Sequence, residues 1–162
     1  MIRVANHLRD HALGCSDSDE TNVFGRSAFN RYYYATFLIV RQFLTEIDPG
    51  WGDLVHKDVP DLLTTGLLKR YRNQLKKGGL DPAETEKQKS IATNAASKLA
   101  AVMAQAYLIR VDADYKPDKL LTRSKGTLEL SKVKSVDAAE WYYNAVRCSD
   151  ILRNVARNVG II

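Results

Sequence analysis

The sequence predicts an all-α protein, an antiparallel bundle of about five helices folded as one domain over residues 1–162. Three observations carry this. The prolines stand only at positions 49, 60, 82 and 117, leaving long stretches free for uninterrupted helices. Those stretches lack the alternation and β-branched enrichment of strands. Apolar residues recur instead at the spacing of one helical face. At 45% hydrophobic over 162 residues, the chain has material for one substantial core.

The elements follow in order. Residues 1–13 read as a first helix, ended by Gly14. Ser16-Asp17-Ser18-Asp19-Glu20 then offers a cap and favourable charge for a second helix, over 22–47. Its stripe is Phe24, Ala28, Arg31, Ala35, Leu38 and Gln42, and the apolar run 32–40 predicts a centrally buried helix. Asp48-Pro49-Gly50 stops it, and a third helical region spans 54–77 with Pro60 at the start of its regular part. Gly78-Gly79 closes that region. Asp81-Pro82-Ala83-Glu84 opens a fourth helix with an acidic cap, a proline in the first turn and a capping-box glutamate. That helix runs to Tyr115, with Ile91, Ala95, Leu99, Val102, Ala106 and Ile109 on one face. Residues 116–134 form a basic loop with a marginal strand at 127–130, and Ser135 caps a last helix to Val159.

Net charge is +5 and the pI is near 9.2, which favours an acidic partner. Cys15 and Cys148 have no metal-ligand spacing and form no disulfide framework, as expected of reduced thiols in the cytoplasm. The run 32–40 is too short to span a bilayer, and Asp10, His11 and Gly14 stand where a signal peptide needs an apolar core. A soluble cytoplasmic protein without a membrane partner is expected. No P-loop, dinucleotide-binding glycine pattern or zinc signature is present, so no cofactor or metal is expected. His7 and His11, four apart on the first helix, read as a solvated face.

Two tracts place arginine and tyrosine inside apolar helical pattern: Arg31-Tyr32-Tyr33-Tyr34-Ala35-Thr36-Phe37 and Arg110-Val111-Asp112-Ala113-Asp114-Tyr115. A charged group there is costly unless paired, and the second tract supplies acids. If the helices pack, Arg31 meets Asp114, and Tyr33, Tyr34 and Tyr115 join the polar network. Such a network either clamps helix register or faces a cleft and meets phosphate.

The form and order of the tracts, R-x-Y-Y-A-x-F followed by R-x-x-A-D-Y, resemble the HEPN superfamily, closest to its small stand-alone proteins. The resemblance runs from the second helix through Tyr115 and more loosely into the last helix. It implies a HEPN-like helical bundle, a homodimer, and a prokaryotic RNA-linked stress or defence module of toxin–antitoxin type. The protein would there bind RNA, nucleotide, or a nucleotidyltransferase or antitoxin partner. HEPN ribonucleases carry an arginine followed by four to six residues and then a histidine. None of His7, His11 and His56 has an arginine at that spacing, and Arg3 with His7 comes nearest. An atypical, metal-independent endoribonuclease would have to use Arg31, His56, Arg110 and Asp114, with histidine moving protons and arginine stabilising the phosphorane. A purely structural or interaction bundle is the third reading.

Two basic regions are candidate RNA contacts. Lys69, Arg72 and Lys76 share a helical face, with Arg70 and Lys77 on the next, and Arg123 and Lys125 lie in the basic loop.

Overall fold

The computed structural model describes Met1–Ile162, and 77% of the residues are helical. The helices are α1 (Ile2–Gly14), α2 (Ser18–Ile47), α3 (Val59–Asp61), α4 (Leu68–Leu75), α5 (Pro82–Tyr115) and α6 (Ser135–Asn158). No helix is long and apolar enough to cross a membrane. The chain forms two compact units, Met1–Phe37 with Gln105–Tyr143, and Leu38–Ala104 with Asn144–Ile162.

In the first unit, α2 starts earlier than its apolar pattern suggests. Asp17 accepts from Glu20 N at 2.8 Å and so caps the helix one turn upstream. Phe29, Tyr32, Tyr33, Leu128, Leu130 and Trp141 are buried here. The Tyr32 hydroxyl is satisfied by Asn6 at 2.8 Å. Segment 116–134, expected to hold one marginal strand, contains a three-stranded antiparallel sheet, so the protein is not purely α. Its strands are β1 (Leu121–Ser124), β2 (Thr127–Leu130) and β3 (Val133–Lys134), with Arg123 opposite Leu128 and Leu130 opposite Val133. Two tight turns join them, at Lys125-Gly126 (φ 49° and 73°) and Ser131-Lys132 (φ 48° and 67°), the left-handed pair that suits strand twist. Helix α2 lies against this sheet at Gly25, where a Cβ would meet both Leu121 methyls at 2.8 Å. Ser135 does not serve as the expected cap. Its buried hydroxyl turns to the hairpin instead, accepting from Leu128 N at 3.3 Å and lying 3.0 Å from Thr127 Oγ1.

The second unit has its own core of Phe43, Leu44, Leu63, Leu67, Tyr71, Leu99 and Met103. The expected third helix is interrupted. α3 passes through a π-helical segment, Leu62–Leu67, before α4 begins. A Cβ at Gly66 would lie only 2.5 Å from Leu62 Cδ1, so a larger residue there would displace the Leu62 side chain. Tyr71, buried, ties α4 to α6 by donating to Leu152 O at 2.8 Å. Burial pushes its phenol pKa well up. Tyr71→Phe keeps the packing and loses that bond, and should lower stability by about 1 kcal/mol in urea unfolding.

Candidate nucleic-acid interface

Helix α4 sorts its residues by face. Leu67, Tyr71 and Leu75, at four-residue spacing, point into the core. Lys69, Arg72, Asn73 and Lys76 are therefore left on the solvent side. Opposite them α5 begins. Asp81 accepts from Glu84 N at 2.9 Å, and Pro82 occupies the first turn. The capping-box geometry expected of Glu84 does not form. Its carboxylate reaches forward, accepting from Gln88 Nε2 at 2.6 Å and Lys87 Nζ at 3.1 Å, and these bonds hold its pKa below the ordinary value.

Between α4 and these first turns of α5 lies a cavity of about 470 Å³. Lys69, Arg72, Lys76 and Lys89 line it, with Glu86 as its acid. Glu86 is engaged with Lys89 at 3.1 Å. Lys69 and Lys76 make no hydrogen bond or ion pair, and Arg72 bonds only Leu68 O of its own helix, at 3.2 Å. Three cations thus face one hollow without an acidic partner. Such a surface favours an anion with several charges at helical-turn spacing.

The other basic candidates are differently placed. Arg70 is paired with Asp48 at 2.8 Å and so is not a free cation. Lys77 lines a separate hollow of about 330 Å³ with Asn73 and Gln74. Arg123 donates to Leu13 O and Cys15 O at 3.0 and 2.8 Å, closing the end of α1. Lys125 is exposed at the tip of the β1–β2 turn.

The arginine–tyrosine–aspartate network assembles within the first unit, with different members from those expected. Arg31 does not meet Asp114. It is exposed, with no hydrogen bond or ion pair, at the edge of a hollow also lined by Asn30 and Asp114. Asp114 accepts from Asn30 Nδ2 at 2.7 Å and pairs with Arg110, whose Nε stands 2.8 Å away but off-line for a hydrogen bond. Arg110 also donates to the Tyr115 hydroxyl at 3.2 Å and lies 5.0 Å from that ring's centre. Burial alone would lower the Arg110 pKa, but Asp114, Tyr115 and Tyr34 outweigh it and raise it. Tyr33 is buried against the Tyr34 and Tyr107 rings, and burial pushes its pKa up. His56 belongs to the second unit, in the short turn His56–Asp58, whereas Arg31, Arg110 and Asp114 belong to the first. No cluster of three or more histidine, cysteine, aspartate or glutamate residues is arranged to hold a metal.

Sequence reasoning passed over Arg26, which serves the same region. Its guanidinium donates to Ala113 O at 3.0 Å and to Asp112 O, Lys116 O and Lys119 O, each at 2.7 Å. Asp112 is held in turn by Lys116 at 2.8 Å and by Ser131 Oγ, which donates at 2.7 Å. Burial would raise the Asp112 pKa, but these two bonds prevail and keep it below the ordinary 3.8. The folded state therefore binds this proton less readily than the unfolded chain. Its contribution to stability is complete above the ordinary carboxylate range and drains away as pH falls through 3.8 and below. Unfolding free energy should decline over that acid range, and Asp112→Asn should flatten part of the decline. Urea titrations at stepped pH measure both. Comparison with protein-family models, curated proteins and solved structures finds no match to this chain.

Proposed function

We propose that this protein binds RNA through the basic groove between α4 and the start of α5, acting as a HEPN-like binding protein in an RNA-linked stress or defence module. The observation that carries the reading is the hollow in which Lys69, Arg72 and Lys76 stand without acidic partners. Several other cations are matched, Arg26 by carbonyls, Arg70 by Asp48, Arg110 by Asp114 and Arg153 by Glu46. Lys69, Arg72 and Lys76 differ in gathering unmatched around one hollow. The R-x-Y-Y-A-x-F and R-x-x-A-D-Y tracts support RNA over other polyanions, through their likeness to HEPN proteins.

Binding is favoured over cleavage. The groove contains no histidine, and its one carboxylate, Glu86, is neutralised by Lys89. The test is the salt dependence of binding to single-stranded RNA. Three phosphate contacts predict a slope of log K against log salt of about −2. A slope near zero, or no binding at low salt, would remove the proposal. RNA cleaved in EDTA would replace it with the nuclease reading.

A further inference from the structure

The start of α5 carries two lysine–carboxylate pairs of the same design, and only one of them faces the basic hollow. Lys87 pairs with Glu84 at 3.1 Å, and neither residue lines the hollow. Lys89 donates to both carboxylate oxygens of Glu86, at 3.1 and 3.2 Å, and both residues line the hollow with Lys69, Arg72 and Lys76. The partners stand three residues apart on one helix, so they stay within reach of each other whatever else is bound. No second acid lines the hollow to take the place of Glu86.

A fourth free cation, on the wall opposite α4, would add a phosphate contact. Lys89 is not free, and a phosphate gains little by taking it. The transfer brings one attraction, but it bares the Glu86 carboxylate on the same wall, facing the same phosphate. The quantities exchanged are small and alike in size. An exposed ion pair is weak, and one phosphate contact on a single strand is worth about fivefold in affinity at 0.1 M salt. Attraction gained and repulsion uncovered offset each other, and Lys89 stays with Glu86.

We propose that Lys89 is a reserve phosphate contact withheld by Glu86, so that Glu86 sets how tightly and how salt-sensitively the hollow holds RNA. This inference rests on the RNA-binding reading and adds the residue that governs its strength. Replacing Glu86 by glutamine releases Lys89 to the ligand, because glutamine keeps the length and helix preference of glutamate and loses only the charge. Glu84→Gln makes the same change of net charge at the pair that does not line the hollow.

The test is fluorescence anisotropy with a labelled single-stranded RNA over a range of salt, with circular dichroism on each variant. Glu86→Gln should tighten binding about fivefold at 0.1 M salt and steepen the slope of log K against log salt from about −2 to about −3. Adding Lys89→Gln to it should abolish both changes. Glu84→Gln should tighten binding less than about twofold and leave the slope in place, since salt screens a charge outside the hollow. An unchanged slope in Glu86→Gln overturns the inference, because Lys89 then does not reach the phosphates. So does a double variant that keeps the gain, since relief of repulsion alone then explains it. A double variant that falls below the wild type overturns it as well, because Lys89 then already serves the wild-type site. An equal gain from Glu84→Gln reduces the effect to net charge and likewise overturns it. Failure of the wild type to bind any RNA overturns the functional reading itself.

Discussion

Replacing Lys69, Arg72 and Lys76 together by glutamate is expected to weaken RNA binding at least about a hundredfold in 0.1 M salt. The estimate rests on counterion release. Each phosphate contact on a single strand contributes about 0.7 to the salt slope, so three contribute about two decades at that salt concentration. Reversed charge adds repulsion to the loss. The fold should be indifferent, because all three side chains are exposed, the two lysines bond nothing, and Arg72 bonds only its own helix. Glutamate is as good a helix former as lysine or arginine. Arg70→Glu is the informative control. It lies on the same helix, but its charge is already matched by Asp48 at 2.8 Å. It should lower stability slightly, as a surface pair does, and leave affinity within a few fold. Anisotropy titrations with circular dichroism on each variant decide the matter. An unchanged affinity in the triple variant would place RNA elsewhere or nowhere.

Arg26→Ala should cost about 2–4 kcal/mol of stability, a large loss for a side chain outside the apolar core. The last carbonyls of any α-helix lack amide partners, and the helix dipole makes that end negative. Arg26 answers both needs at the end of α5, giving N–H donors to Asp112 O, Ala113 O, Lys116 O and Lys119 O. The same contacts hold the chain as it leaves α5 for β1. Removing the guanidinium takes its donors from Ala113 O and Lys119 O and frees the segment before the hairpin, while Asp112 O and Lys116 O keep the amides of Lys116 and Lys119 at 3.3 and 3.1 Å. Arg26→Lys should recover less than half of the loss, since an ammonium lacks the planar fork that reaches several acceptors at once. Urea unfolding of the three proteins gives the numbers. A loss below about 0.5 kcal/mol for the alanine variant would show that water replaces the guanidinium without cost.

The helices were largely legible in the sequence because their signals are local. Asp81-Pro82 marks the start of α5, and the continuous apolar run in α2 marks a largely buried helix, with Tyr32, Tyr33, Phe37 and Val40 buried but Leu38, inside the same run, exposed. The sheet was harder to read. β2 shows the alternation that betrays a half-buried strand, but β1 leaves Thr122, Arg123 and Ser124 exposed and so has no two-residue period to detect. The π-helical segment at Leu62–Leu67 was also hidden, because a wider turn leaves no composition signature.

The arginines show where local reasoning ends. Arg26, Arg31 and Arg110 are each an arginine in an apolar helix, and nothing near them in sequence says which will find a carboxylate, a row of carbonyls or water. Rotation of α2 against α5 settles it. Arg26 and Asn30, four residues apart, share the face that meets the end of α5. Arg31, one residue further, is turned about 100° away and left exposed. The basic face of α4 was legible for the same local reason, since Lys69, Arg72 and Lys76 follow helical spacing. Which of the neighbouring cations stay free depends on what arrives from elsewhere in the chain, as Asp48 does at Arg70. Sequence by itself determined the helices and the charge they carry, because both follow from neighbours one turn apart. Tertiary structure alone decided which charges are matched, because a side chain's partner is set by what packs against its helix.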